Sequence, residues 1–81
     1  KFYFVYLPYD GMYNTNYNDT LYVSVKKIVN GLNIPFIDIH KEVFLKESNP
    51  LKLFPFEMPL QHYNVEGFKK VTEAIYKFIS K

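Results

Sequence analysis

Cysteine is absent from these 81 residues, and so is arginine. Without cysteine there is no disulfide framework and no thiolate site, so packing alone must hold the chain together. The net charge of +2 is carried by ten lysines. Bidentate recognition of phosphate or guanine is mostly arginine chemistry, and the longest basic runs here are only the pairs Lys26-Lys27 and Lys69-Lys70. Each pair falls on the polar side of an expected helix, so nucleic acid is not an expected partner. Two histidines without an HExxH or similar spacing argue against a metal site, and no cofactor is expected. No apolar run approaches the ~20 residues of a membrane helix, so no membrane partner is expected either. The length falls short of the roughly 100 to 150 residues of a common domain. The chain opens on Lys1 and Phe2 with no signal pattern, and it is expected to be a piece of something longer.

What the sequence does have is apolar surface. Hydrophobic residues make up 48% and aromatic residues 20%, enough to offset the entropy of ordering. Phe2 to Leu7 is a continuous apolar run ended by Pro8, a pattern suited to a strand covered on both faces. From Pro8 to Asn18 the composition turns to Tyr, Asn, Asp and Gly, which is loop chemistry. Tyr9, Tyr13, Tyr17 and Tyr22 fall in or just after that loop. Two readings stand: they line a substrate cleft, Tyr9 and Tyr13 foremost, or they pack the loop onto the body.

Asn18 or Asp19 can cap the next helix, whose buried side is expected to be Leu21, Val25, Ile28 and Leu32. Asn30-Gly31 gives its stop, with Gly31 suited to a left-handed position. Ile34 to Ile39 reads as a second strand. The intervening length holds one helix, which suits a right-handed crossover, so the unit is β-α-β with parallel strands. HKEVFLKE follows as a short helix or turn, and then Ser48 to Gln61, whose three prolines exclude a regular element. The apolar residues of that loop, Leu51 to Leu60, require it to lie against the body.

The chain then reaches LQHYNVEGF, at the mouth of the last helix. Asn64 is a strong cap residue, and Phe68, Val71, Ile75, Phe78 and Ile79 form an apolar stripe behind it. His62 precedes the cap by two residues, so a capped entry gives the imidazole a defined position, as a general base requires. The alternative is a loop histidine that fills space. In parallel sheets ligands bind beyond the carboxyl ends of the strands, and both long loops leave from that edge.

The order of an aromatic strand ending FVYLP, a helix, FIDIH, a proline-rich loop and HYNVEGF before the final helix resembles the C-terminal portion of SGNH, or GDSL-like, hydrolases. That resemblance covers nearly the whole chain and implies an α/β fold. The fold expected is part of a three-layer α/β/α (flavodoxin-like) parallel sheet in the order β-α-β-(short α)-α, with residues 1–81 as a single C-terminal fragment of the domain. It also implies that His62 is the general base for a serine nucleophile, that Asn64 is the cap positioning it, and that Gly67 is a close-packing point. The family's Gly-Asp-Ser segment and its oxyanion donors are not in this sequence, and Ser24, Ser48 and Ser80 have no matching context. The family's aspartate before the histidine is also missing, its positions being Pro59 and Leu60. Glu57 is the nearest substitute acid, with a solvated loop carboxylate as its plain alternative, and Asp38 is a more distant candidate that can equally cap the turn at His40-Lys41. His40, with no partner motif, reads as a surface loop residue.

Two functional expectations follow. One is the His-bearing part of a serine ester hydrolase or acyltransferase, acting on an ester or acyl-group substrate such as an acylated carbohydrate, with the fragment alone lacking the nucleophile. The other is a noncatalytic SGNH-like or flavodoxin-like binding or structural module. In either case an uncovered sheet edge is expected to make the fragment self-associate or depend on the missing N-terminal part of the domain.

Overall fold

The computed structural model describes residues 2–13, 17–55 and 63–80. The first apolar run forms β1, Phe4–Tyr6, and the second forms β2, Phe36–Asp38. They pair in parallel, with Phe4 opposite Phe36, Val5 opposite Ile37 and Tyr6 opposite Asp38. Both strands are shorter than the runs that foretold them. Phe2 and Leu7 project into solvent beyond β1, and β2 ends at Asp38 because that residue caps the helix beginning at Ile39.

Helix α1, Thr20–Gly31, connects the strands, so the chain has the expected crossover and is a small mixed α/β structure with a two-stranded parallel sheet. Alternation along the strands puts Phe4, Tyr6, Phe36 and Asp38 on one face of the sheet. That face meets α1: the Tyr22 ring stands edge-on to Tyr6 at 5.0 Å, and the Lys26 ammonium lies 5.8 Å from the Phe36 ring centre. The other face carries Val5 and Ile37 into the main core with Ile39, Val43, Phe44, Leu53, Phe54, Tyr63 and Val71.

The buried side of α1 differs from the expected one. Leu21, Ile28 and Leu32 are exposed, and Val29 is the buried residue of the helix. The helix is turned so that Tyr22 and Lys26 reach Asp38, whose side chain is 8% exposed and requires polar partners. Its end also differs. Gly31 is the last helical residue, and the left-handed conformation falls on Asn33, at φ 59°. Asparagine tolerates that region better than other residues with a Cβ.

After β2 come the short α2, Ile39–Glu42, a 3-10 turn at Phe44–Lys46, and a second 3-10 turn at Pro50–Leu53. Asn49 opens the second turn by accepting the Leu51 amide at 3.3 Å, and Pro50 takes a position where no amide is needed. Leu53 and Phe54 are buried, so this part of the proline-rich loop does lie against the body, while Leu51 is exposed. Helix α3, Val65–Ile79, buries Val71 and packs Ala74, Ile75 and Phe78 on the core. Phe68 and Ile79, the ends of the expected stripe, are about half exposed.

Candidate functional site

The entrance to α3 is built from the residues that follow His62 in the sequence. Tyr63 is buried among Phe44, Phe54 and Phe68, with ring centres 5.2, 5.4 and 5.6 Å away. Its hydroxyl donates to the Pro8 carbonyl at 2.6 Å, just past the carboxyl end of β1. Burial pushes the Tyr63 hydroxyl well above the ordinary tyrosine range, so it remains a donor.

Asn64 works in two directions. Its Oδ1 accepts the Gly67 amide at 2.8 Å, satisfying an orphan donor of the first turn of α3. Its Nδ2 donates to the carbonyls of Lys52 and Phe54 at 2.7 and 3.4 Å, while its backbone amide donates to Leu53 at 2.8 Å. A Cβ on Gly67 would stand 2.6 Å from the Leu53 carbonyl oxygen and 2.9 Å from the Tyr63 Cβ. Close approach of the helix to the 3-10 turn therefore needs glycine at this point. His62 and Glu57, the expected base and acid, lie outside the described residues.

A second polar group gathers at the same carboxyl edge. Asp38, at the end of β2, accepts the Tyr22 hydroxyl, the Lys26 ammonium at 3.0 Å and the Lys41 amide at 3.0 Å. Burial by itself raises this carboxyl, but the Tyr22 hydroxyl, the Lys41 amide and Lys26 outweigh burial and hold it below the usual range. Of the two readings of Asp38, the cap on the turn at His40-Lys41 is what the geometry gives. Tyr22, Lys26 and Lys41 together hold it in that structural role.

His40 is not a surface loop residue. It lies in α2, half-buried, and its Nδ1 is 2.7 Å from the Tyr13 hydroxyl. Its ring stands edge-on to Tyr22 at 5.0 Å and tilted against Tyr13 at 5.5 Å. Burial lowers its pKa; Asp38 opposes that shift, Lys26 reinforces it, and Asp19 opposes it. Tyr13 itself stacks on Phe44 at 5.5 Å and touches Phe54 at 6.1 Å. The packing reading of Tyr13 is thus the one its contacts give. Tyr9 is half-buried and edge-on to Tyr17 at 6.2 Å, within the same loop.

Sequence reasoning missed His40, Tyr22 and Lys26 as a group because their contacts join different elements. The readable signal was the i, i+4 spacing of Tyr22 and Lys26, which puts both on one face of a helix. Ser24 lies within α1 and Ser80 follows α3, and among the described residues no serine hydroxyl bonds to a histidine. Among the described residues no group of three or more His, Cys, Asp or Glu side chains could hold a metal, and no helix is long and apolar enough to cross a membrane. A cleft of about 370 Å³ between α2 and α3 has a floor of Val43, Ala74 and Phe78. Two pairs of charges on its rim face each other, Lys46 with Glu42 and Lys70 with Glu47.

Set against family models, curated proteins and solved structures, the chain matches none.

Proposed function

We propose that this chain is the histidine-bearing C-terminal part of an SGNH-like serine ester hydrolase or acyltransferase, with His62 as the general base. The observation that supports this most is the anchoring of the segment directly after His62. Tyr63 is fixed to Pro8 and Asn64 to both α3 and the Lys52–Phe54 carbonyls, at the carboxyl edge of parallel strands. In sheets of this kind that edge is where ligands bind. An imidazole with a reference pKa near ~6.5 can take the proton of a serine hydroxyl, which is a weak nucleophile without it. Glu57 is the proposed acid partner, since Asp38 is committed elsewhere.

The fold in this reading is part of a three-layer α/β/α, flavodoxin-like sheet. Sheet geometry supports it: the Phe4 amide bonds to Pro35, so the ladder turns the Val5 N–H and C=O away from β2, on the edge that a further strand would join. The partners proposed are an ester or acyl-group substrate and the N-terminal part of the domain, or failing that a second copy. A dilute sedimentation run giving a stable monomer with a sharp melt would count against such dependence.

The test is labelling of the intact protein in which this chain occurs by a serine-reactive fluorophosphonate, beside His62→Ala. Label on a serine that disappears in His62→Ala supports the proposal. No label in the folded protein favours the second reading, a noncatalytic SGNH-like module, which the lack of the family's Gly-Asp-Ser segment from this sequence supports.

A further inference from the structure

The loop after β1 is tied near its start by the bond from Tyr63 to Pro8 and, further along, by a polar contact of a different kind. Within its 3-10 turn, Asp10–Tyr13, the last residue sends its ring into the core between Phe44, Phe54 and His40. The Tyr13 hydroxyl then lies 2.7 Å from the His40 Nδ1. Neither of these groups is fully in water, so which atom carries each proton matters.

Burial raises the Tyr13 hydroxyl far above its ordinary value, so it keeps its proton and donates. A neutral His40 accepts that proton at Nδ1 and carries its own hydrogen on Nε2. A protonated His40 has hydrogens on both nitrogens. The Tyr13 oxygen would then have to accept, and its own hydrogen would lose its acceptor within an apolar setting. Among the described residues the other groups facing His40 come from three places. From α1 come Tyr22 and Lys26, with Asp19 just before that helix; from β2 comes Asp38; and on its own element follow Lys41 and Glu42. Asp38 is the main group favouring an imidazolium, but it is already paired with the Lys26 ammonium and holds two further hydrogen bonds, and burial outweighs it.

We propose that the Tyr13–His40 contact is an acid-released latch: with neutral His40 it holds the Asp10–Tyr13 turn against the sheet, and protonation of His40 loosens that turn while the Tyr63–Pro8 bond stays. The inference is independent of the hydrolase reading, since it uses neither His62 nor a nucleophile. Its sign follows from burial, which favours the neutral imidazole in the latched state. Latching is complete above the free imidazole value of about 6.5 and weakens as pH falls from there toward the lower latched value. A single linked proton changes the latch equilibrium by at most about tenfold per pH unit in that window.

Hydrogen exchange at the amides of residues 10–13, corrected for the intrinsic pH dependence of exchange, reads the latch directly. Wild-type protein is expected to lose about tenfold protection between pH 7 and pH 5 at these amides, with little change in α3. His40→Asn places an oxygen acceptor near the Nδ1 position and does not titrate, so its protection should be flat across the same range. Tyr13→Phe, which keeps the ring and removes the hydroxyl, should show low protection at both pH values. The same acid loss in His40→Asn as in wild type would overturn the proposal. So would flat protection in wild type, or a Tyr13→Phe loop as well protected as wild type at pH 7.

Discussion

Tyr63 and Pro8 stand 55 residues apart in the chain, and the tyrosine hydroxyl donates to the proline carbonyl at 2.6 Å in a buried setting. One bond thus joins the end of the first strand to the entrance of the last helix. Tyr63→Phe keeps the ring contacts and leaves the Pro8 carbonyl without this donor, which costs about 1–3 kcal/mol for a buried unsatisfied group. The expected result is a lower urea midpoint with an unchanged slope. A midpoint equal to wild type would mean that the carbonyl finds water and that the tie contributes nothing.

Asn64 can be separated into its two roles by substitution. Asn64→Ala removes both the helix cap and the loop bonds and should cost about 1–2 kcal/mol or more. Asn64→Asp is the sharper variant. Aspartate is as good a cap as asparagine and favours the positive end of the helix. However, it would set a carboxylate oxygen against the Lys52 and Phe54 carbonyls where Nδ2 now donates. The prediction is that Asn64→Asp destabilises by about 1 kcal/mol or more by thermal melting despite its capping rank. A neutral or stabilising Asn64→Asp would show that only the cap matters.

Gly67→Ala runs against helix propensity in the same way. In an exposed helix interior the change would stabilise by roughly 0.5–1 kcal/mol. Here the added methyl group meets the Leu53 carbonyl oxygen and the Tyr63 Cβ inside ordinary contact distance, and one of those neighbours is backbone. Overpacking of this kind costs about 1–3 kcal/mol, so net destabilisation is expected in denaturant melts. An increase in stability would mean that α3 can move away from the 3-10 turn at little cost.

Of these features, the Asn64 cap and the start of α3 were legible because their causes are local, whereas the bond from Tyr63 to Pro8, 55 residues away, was not. The asparagine three residues before a glycine, with an apolar stripe behind it, is enough to place the start of α3 and its cap. The parallel pairing was legible for a similar reason, since one helix between two apolar runs allows a crossover and not a hairpin. The face of α1 was not legible. Leu21, Ile28 and Leu32 form an apolar row by spacing, yet the helix turns Tyr22 and Lys26 inward to serve Asp38, a demand made from another element. His40 was misread for the same cause: its partner, Tyr13, lies 27 residues earlier and carries no motif. His62 and Glu57 lie outside the described residues; the proposal for His62 rests on resemblance and on the geometry of Tyr63 and Asn64 beside it, and that for Glu57 on its nearness in sequence.

Asp38 supplies a pH prediction in a window separate from that of His40. Its carboxyl lies below the usual range in the folded chain, because three donors outweigh burial. A carboxyl depressed on folding contributes stability that is fully present above its unfolded value of about 3.9 and is lost as pH falls through the folded value. Asp38→Asn removes the charge that Lys26 faces and the titration together. At pH 7 the variant should be less stable by about 2 kcal/mol, less than a fully buried pair would lose because the Lys26 side chain is 36% exposed. Between pH 4 and pH 2 the gap between the two proteins should close, since wild type then loses what the variant has already lost. Glu47, held low by Lys70 and Lys52, titrates in both proteins and so leaves the difference curve unaffected. A gap that stays constant with pH would show that Asp38 stabilises the fold by shape and neutral hydrogen bonding, with its charge contributing nothing.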